Sequence, residues 1–198
     1  MSLMDLVTKA VTEKAMNKLQ GGAGIDAEQA KSMLPMAAAM LMGGLKKNAQ
    51  AQGGAEALSS ALEKHDGGIL DNIQNMDGGD IMGDGQKILG HVMGGNQENA
   101  IQALAQAGGV GQDQAKNLLA MAAPMLMGAL GKAKKEQGFD ASALTGLLGQ
   151  EAQAAKSALP GNLGAMASFL DADGDGDIKD DLVQGIGKKI LGGMFGRK

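Results

Sequence analysis

The chain has 198 residues, 44% of them hydrophobic, which is enough to bury a core as one domain or as two small ones closely joined. Cysteine is absent, excluding disulfides, thiolate metal sites and cysteine nucleophiles. A formal net charge of -4 speaks against nucleic acid as the partner of the whole molecule.

With three Phe and no Trp or Tyr, the core must come from Ala, Leu, Ile, Val and fifteen Met. Such side chains suit close-packed helices better than a β-sandwich, which draws on aromatic and β-branched residues. An all-α, multi-helical fold is therefore expected. The thirty-three Gly cluster as Gly-Gly pairs, expected at helix C-caps and tight interhelical turns. The opening Met1-Ser2-Leu3-Met4-Asp5 has no basic stretch followed by an apolar one, so no signal peptide is expected and the default address is the cytoplasm.

In chain order, Leu3, Leu6, Val7, Ala10, Val11, Ala15 and Leu19 recur at helical spacing and predict a first amphipathic helix. A Gly-rich turn is expected next, followed by a helix that Asp26 and Gln29 start with a capping box. That helix is apolar without interruption from Met33 to Leu45. It is short of the about 20 residues a bilayer requires, so it is expected to be a buried central helix, surrounded by partners. Pro35 should bend it. Lys46 and Lys47 follow, where cations complement a helix C-terminus. Both histidines come next, in the segments His65 to Ile73 and Gly83 to Gly94. Leu58, Ala61, Leu62 and His65 share one helical face, which predicts a packed structural histidine. A metal-dependent hydrolase built on His65, Asp66 and His91 is the alternative, and it requires both histidines to converge on one pocket. Asp77, Asp80 and Asp84 form a second acidic group that could take a cation.

The second half repeats the first. Gln29 to Leu45 recurs 85 residues later as Gln114 to Leu130, with twelve of seventeen positions identical. Met16 and Leu19 answer to Ile101 and Leu104, and Asp77 to Gly90 resembles Asp175 to Gly192. The expected organisation is an internal duplication, residues 1–95 and 96–198. Pro124 falls at a different place from Pro35, and Lys132, Lys134 and Lys135 again follow the apolar run. Residues 97–130 superficially resemble helix-turn-helix, an alternative function as a nucleic-acid or regulatory module. The would-be recognition helix, from Gln112, turns apolar and carries no Arg to reach a base edge.

Residues 171–182 are the one stretch whose spacing implies a specific ligand. Asp171, Asp173 and Asp175 stand at the first, third and fifth positions of an EF-type loop, with Gly176 at the sharp turn and Asp177 offering its carbonyl. Leu182 stands where a bidentate Glu closes such a loop, so Asp181 is expected to close the calcium shell. Residues 183–198 end the chain as a basic helix. Its stretch 185–198 could seek a membrane surface, but packing on the core is favoured by its match to the internal segment Lys87 to Val92.

His65 to Ile73, Gly83 to Gly94, the helix Leu34 to Leu45 and the Asp-rich end before Asp180-Asp181-Leu182 together resemble a bacterial domain-of-unknown-function family, DUF937, related to YidB-type proteins. The resemblance runs over about residues 25–198. It implies an all-helical fold and brings no activity, so no catalytic residue is carried over. The acidic segment also resembles an EF-hand or dockerin-like calcium loop. The expectation is a noncatalytic scaffold or interaction protein, self-associating as a homo-oligomer and stabilised by Ca2+.

Overall fold

The computed structural model describes residues 13–73 and 75–158, and among these there are helices and turns but no strand. The all-α expectation holds. The first helix, α1 (Glu13–Ala23), is the described part of the predicted amphipathic helix and buries Leu19 completely. It stops at Gly24, whose φ of 68° is left-handed and suits a residue without Cβ.

Asp26 and Gln29 then start α2 (Ala27–Gln50) as predicted. The Gln29 N–H donates to Asp26 Oδ1 at 2.8 Å, and the Asp26 N–H donates to Gln29 Oε1 at 3.1 Å. Next come α3 (Gly54–Lys64), the short α4 (Gly68–Asn72), and α5 (Gly78–Met93), capped by Asp77 accepting from the Gly79 N–H at 2.7 Å. A 3-10 turn, Gly94–Asn96, leads into α6 (Gln97–Gly108), and α7 (Gln112–Gln137) and α8 (Ala141–Ala158) complete the described chain.

The two long apolar helices lie at the centre, packed on each other. α7 is further covered by α1, α3, α4, α5 and α6, and α2 by α1, α3, α5, α6 and α8. Every residue of α7 from Leu118 to Gly131 is buried, and α2 is buried almost as fully from Met33 to Leu45. One apolar cluster joins both halves of the chain, from Leu19 to Leu148. Met33, Met36, Met40, Met42, Met121, Met125 and Met127 belong to it. Each such side chain contributes about 1.5–3 kcal/mol by leaving water. No described helix is long and apolar enough to cross a membrane.

The two prolines differ in what they leave open. Proline has no N–H, so the carbonyl four residues earlier loses its helical donor. Pro35 is exposed, and the carbonyl it frees belongs to Lys31, also exposed, where water can serve it. Pro124 is buried and frees the carbonyl of Ala120. Gly85 of α5 lies directly against that oxygen, so close that a Cβ there would stand 1.7 Å from it. A Cα–H contact of this kind partly satisfies a carbonyl that has lost its N–H donor.

Two of the Gly-Gly pairs depart from the expectation of turns. Gly21-Gly22 and Gly43-Gly44 lie inside helices, not between them. The reason is packing. A Cβ at Gly22 would stand 1.9 Å from Met121 Sδ, and one at Gly44 would stand 2.8 Å from Val92 Cγ1. In the same way Gly108 receives Met33, while Gly131 receives the His65 carbonyl, which a Cβ would approach to 1.9 Å. Turns do form at Gly53, Gly67 and Gly109, each with positive φ.

Gly85→Ala should therefore destabilise the fold by about 3 kcal/mol or more, since backbone rather than a flexible side chain must yield. Gly83→Ala, two residues away in the same helix with open space around it, should stabilise by about 0.5–1 kcal/mol. Urea unfolding of the two variants against the parent checks both signs.

Candidate functional site

Three ion pairs gather at the corner between α3 and α4, where α7 ends. α3 ends because His65 leaves the helical region, at φ -115° and ψ 57°, and Gly67 turns the chain at φ 99°. Asp66 Oδ1 accepts from the Gly68 N–H at 3.2 Å, which starts α4. Three lysines from the last turns of α7 meet three acids here: Lys134 with Glu63 at 2.9 Å, Lys135 with Asp66 at 3.4 Å and Lys132 with Asp71 at 3.7 Å. Lys134 also donates to the Ser59 carbonyl at 2.9 Å, and its side chain is only 15% exposed, so this pair is the best desolvated of the three. The lysines were expected to complement the C-terminus of their own helix. They do occupy its last turns, but they also bond across to α3 and α4.

Two of these acids, Glu63 and Asp66, are held in the ionised form. The Glu63 carboxyl lies below the usual carboxylate range because Lys134 hydrogen-bonds it and adds its charge. Asp66 lies low first because of the Gly68 N–H and then because of Lys135. A carboxylate so held accepts hydrogen bonds but is a poor proton donor at neutral pH.

The structure does not bring the two histidines together. His65 is half-buried at the end of α3, and its ring makes no hydrogen bond among the described residues. His91 is exposed in the last turn of α5, where its carbonyl accepts from Asn48 Nδ2 at 3.0 Å. Asn48 lies against Gly54, at the opposite end of α3 from His65. The eleven residues of that helix separate the two ends by about 16 Å, at 1.5 Å per residue. No group of three His, Cys, Asp or Glu that could hold a metal ion occurs among the described residues. Asp77 is occupied as a helix cap and Asp84 pairs with Lys87 at 3.5 Å, while Asp80 lies exposed in the first turn of α5. The predicted calcium ligands Asp171, Asp173, Asp175, Asp177 and Asp181, with Leu182 and the basic stretch 185–198, lie outside the described residues.

The helix-turn-helix alternative meets a geometric obstacle. α6, the turn at Gly109 and α7 do follow one another, but α7 is buried from Leu118 to Gly131, so that stretch of a would-be recognition helix faces the core. Its exposed beginning instead shares an open polar cleft with α6, lined by Glu98, Gln102, Gln112, Asp113 and Lys116. The pairing of Lys134 with Glu63 and Ser59 was missed in the sequence because its partners lie 71 and 75 residues away, and no local pattern announces them.

The family description "Bacterial protein of unknown function (DUF937)" matches residues 5–133. The match begins before residue 25 and stops within α7, which corrects the extent of the resemblance and leaves the acidic segment 171–182 outside it. No curated protein and no solved structure matches the chain.

Because Glu63 and Asp66 titrate below their ordinary range, their contribution to stability is present above that range and is lost as pH falls through the lowered values. Glu63→Gln with Asp66→Asn should therefore lose less melting temperature than the parent between neutral pH and pH about 3. Both acids are exposed, so high salt should narrow the difference. An equal or larger loss in the variant would contradict the assignment.

Proposed function

The chain belongs to the bacterial family of unknown function DUF937, and from that membership together with its packing we propose that it is a noncatalytic helical scaffold that associates with itself. The observation that carries this is how its ionisable groups are used. At the α3–α4 corner each acid of the three pairs faces a lysine of α7, and Asp66 also accepts from the Gly68 N–H beside it. These groups join secondary-structure elements to one another instead of converging on a cavity. A metal-dependent hydrolase would draw on His65, Asp66 and His91, and nothing in their separation supports it.

Internal duplication is part of the same proposal. It is supported by the twelve identities in seventeen between Gln29 to Leu45 and Gln114 to Leu130. Both copies also use the first residue of that match alike. Gln29 accepts from the backbone N–H of Asp26, and Gln114 accepts from that of Gly111 at 2.9 Å. The Met residues of the central helices lie in the core and leave self-association to other surfaces.

Calcium is proposed as a stabilising ligand of residues 171–182, supported by the Asp171, Asp173, Asp175, Gly176 and Asp177 spacing. With Asp181 in place of the closing Glu, affinity should be on the order of 10⁻⁴–10⁻³ M, suited to calcium-replete surroundings.

Light scattering after size exclusion, over a wide concentration range, should give a mass that rises from one chain to two. A single-chain mass throughout would remove the self-association proposal. Calorimetric titration of the metal-stripped chain should show saturable calcium binding, at least about tenfold weaker in Asp175→Ala, each tenfold being 1.4 kcal/mol. Equal affinity in parent and variant would remove the calcium proposal.

A further inference from the structure

The way α1 is held suggests how two copies would join. Its anchors belong to elements distant in sequence. Gly22 fits against Met121 of α7 so closely that a Cβ there would force the Met121 thioether to shift, and Lys18 Nζ donates to the Met76 carbonyl at 2.8 Å. The Gly24 carbonyl accepts from Gln114 Nε2 at the start of α7. Leu19 and Ala23 are buried in the same core. α1 also rests on α2, but the covalent link between them is only Gly24, Ile25 and Asp26.

That link is a hinge with two identifiable holds. Gly24 takes the left-handed φ of 68°, which a residue with Cβ adopts only with strain. Asp26 and Gln29 close the capping box that stops α2 from continuing backwards into α1. If both holds open, residues 13–50 can run as one continuous helix, which carries α1 away from its own α7. Short hinges of this kind allow an element to be exchanged between copies, because each buried contact is recreated with the partner.

We propose that α1 is an exchangeable arm, and that the surface of α7 around Met121 is an interaction site whose occupant in the dimer is α1 of a second copy. The proposal rests on the self-association reading above and specifies its interface. All contacts of Leu19, Gly22 and Lys18 are kept in the exchanged state, and only the hinge changes. The balance between single and paired chains is therefore set by Gly24 and Asp26.

The absence of cysteine makes a direct test available. A Cβ at position 22 would lie 3.5 Å from Met121 Cγ, so Gly22→Cys with Met121→Cys places two sulfurs within disulfide reach after small adjustment. The purified full chain is concentrated, warmed, cooled, sized by light scattering, oxidised and run on a non-reducing denaturing gel. The expected result is a two-chain species whose disulfides join different chains. In the background without these cysteines, Gly24→Ala should raise the dimer association constant about twenty-five-fold, from about fivefold at each of two hinges. Gly21→Ala, in open space at ordinary φ, should leave it unchanged. A dimer whose 22–121 disulfides stay within one chain overturns the exchange while leaving self-association standing. Single chains throughout, in the parent and in Gly24→Ala alike, overturn both.

Discussion

The crossing of α5 over α7 at Gly85 is the contact on which the arrangement depends. Pro124 removes the N–H that would have served the Ala120 carbonyl, and this happens inside the core, where water cannot substitute. An unsatisfied buried carbonyl is expensive. The backbone of α5 comes near enough to compensate only because position 85 has no side chain. That approach brings Ile81 and Leu89 of the same helix into full burial. A proline, a freed carbonyl and a glycine on another helix thus form one unit.

The same device recurs with other partners. Gly131 accommodates the His65 carbonyl at the end of α3, and Gly22 and Gly108 accommodate the methionines Met121 and Met33. Helices that meet at glycines approach more closely than those separated by larger side chains, and the flexible thioether of Met fills what space is left. This explains how a chain without Trp or Tyr encloses two long helices so completely. It also explains why the methionines of α2 and α7 fill the interior.

Electrostatics acts at the periphery of that core. Lys132, Lys134 and Lys135 fasten the end of α7 to α3 and α4, and the pairs are exposed apart from the Lys134 side chain. Exposed pairs contribute little each, about 0–1 kcal/mol, so they orient a corner already positioned by the close approach of Gly128 to Ile69 of α4 and of Gly131 to the His65 carbonyl. The histidine at that corner stands where α3 ends. A scaffold reading is consistent with polar groups used in this way, and an exchangeable α1 would let that scaffold extend from one copy to another.

The sequence alone determined what depends on neighbours along the chain. Composition favoured a helical core over a sheet-based one, the uninterrupted run from Met33 to Leu45 identified a central helix, and Asp26 with Gln29 marked its start, because both partners of that capping box lie within four residues. Tertiary structure decided the rest. A glycine that turns a chain and a glycine that admits another helix read alike, and only the position of Met121 or Ala120 distinguishes Gly22 or Gly85 from Gly109. The separation of His65 from His91 is likewise a property of how α3 lies between α2 and α7, and Lys134 finds Glu63 only after α7 has packed on α3. Local hydrogen bonding is written in adjacent residues, whereas close approach depends on pairs of positions that the chain brings together only by folding.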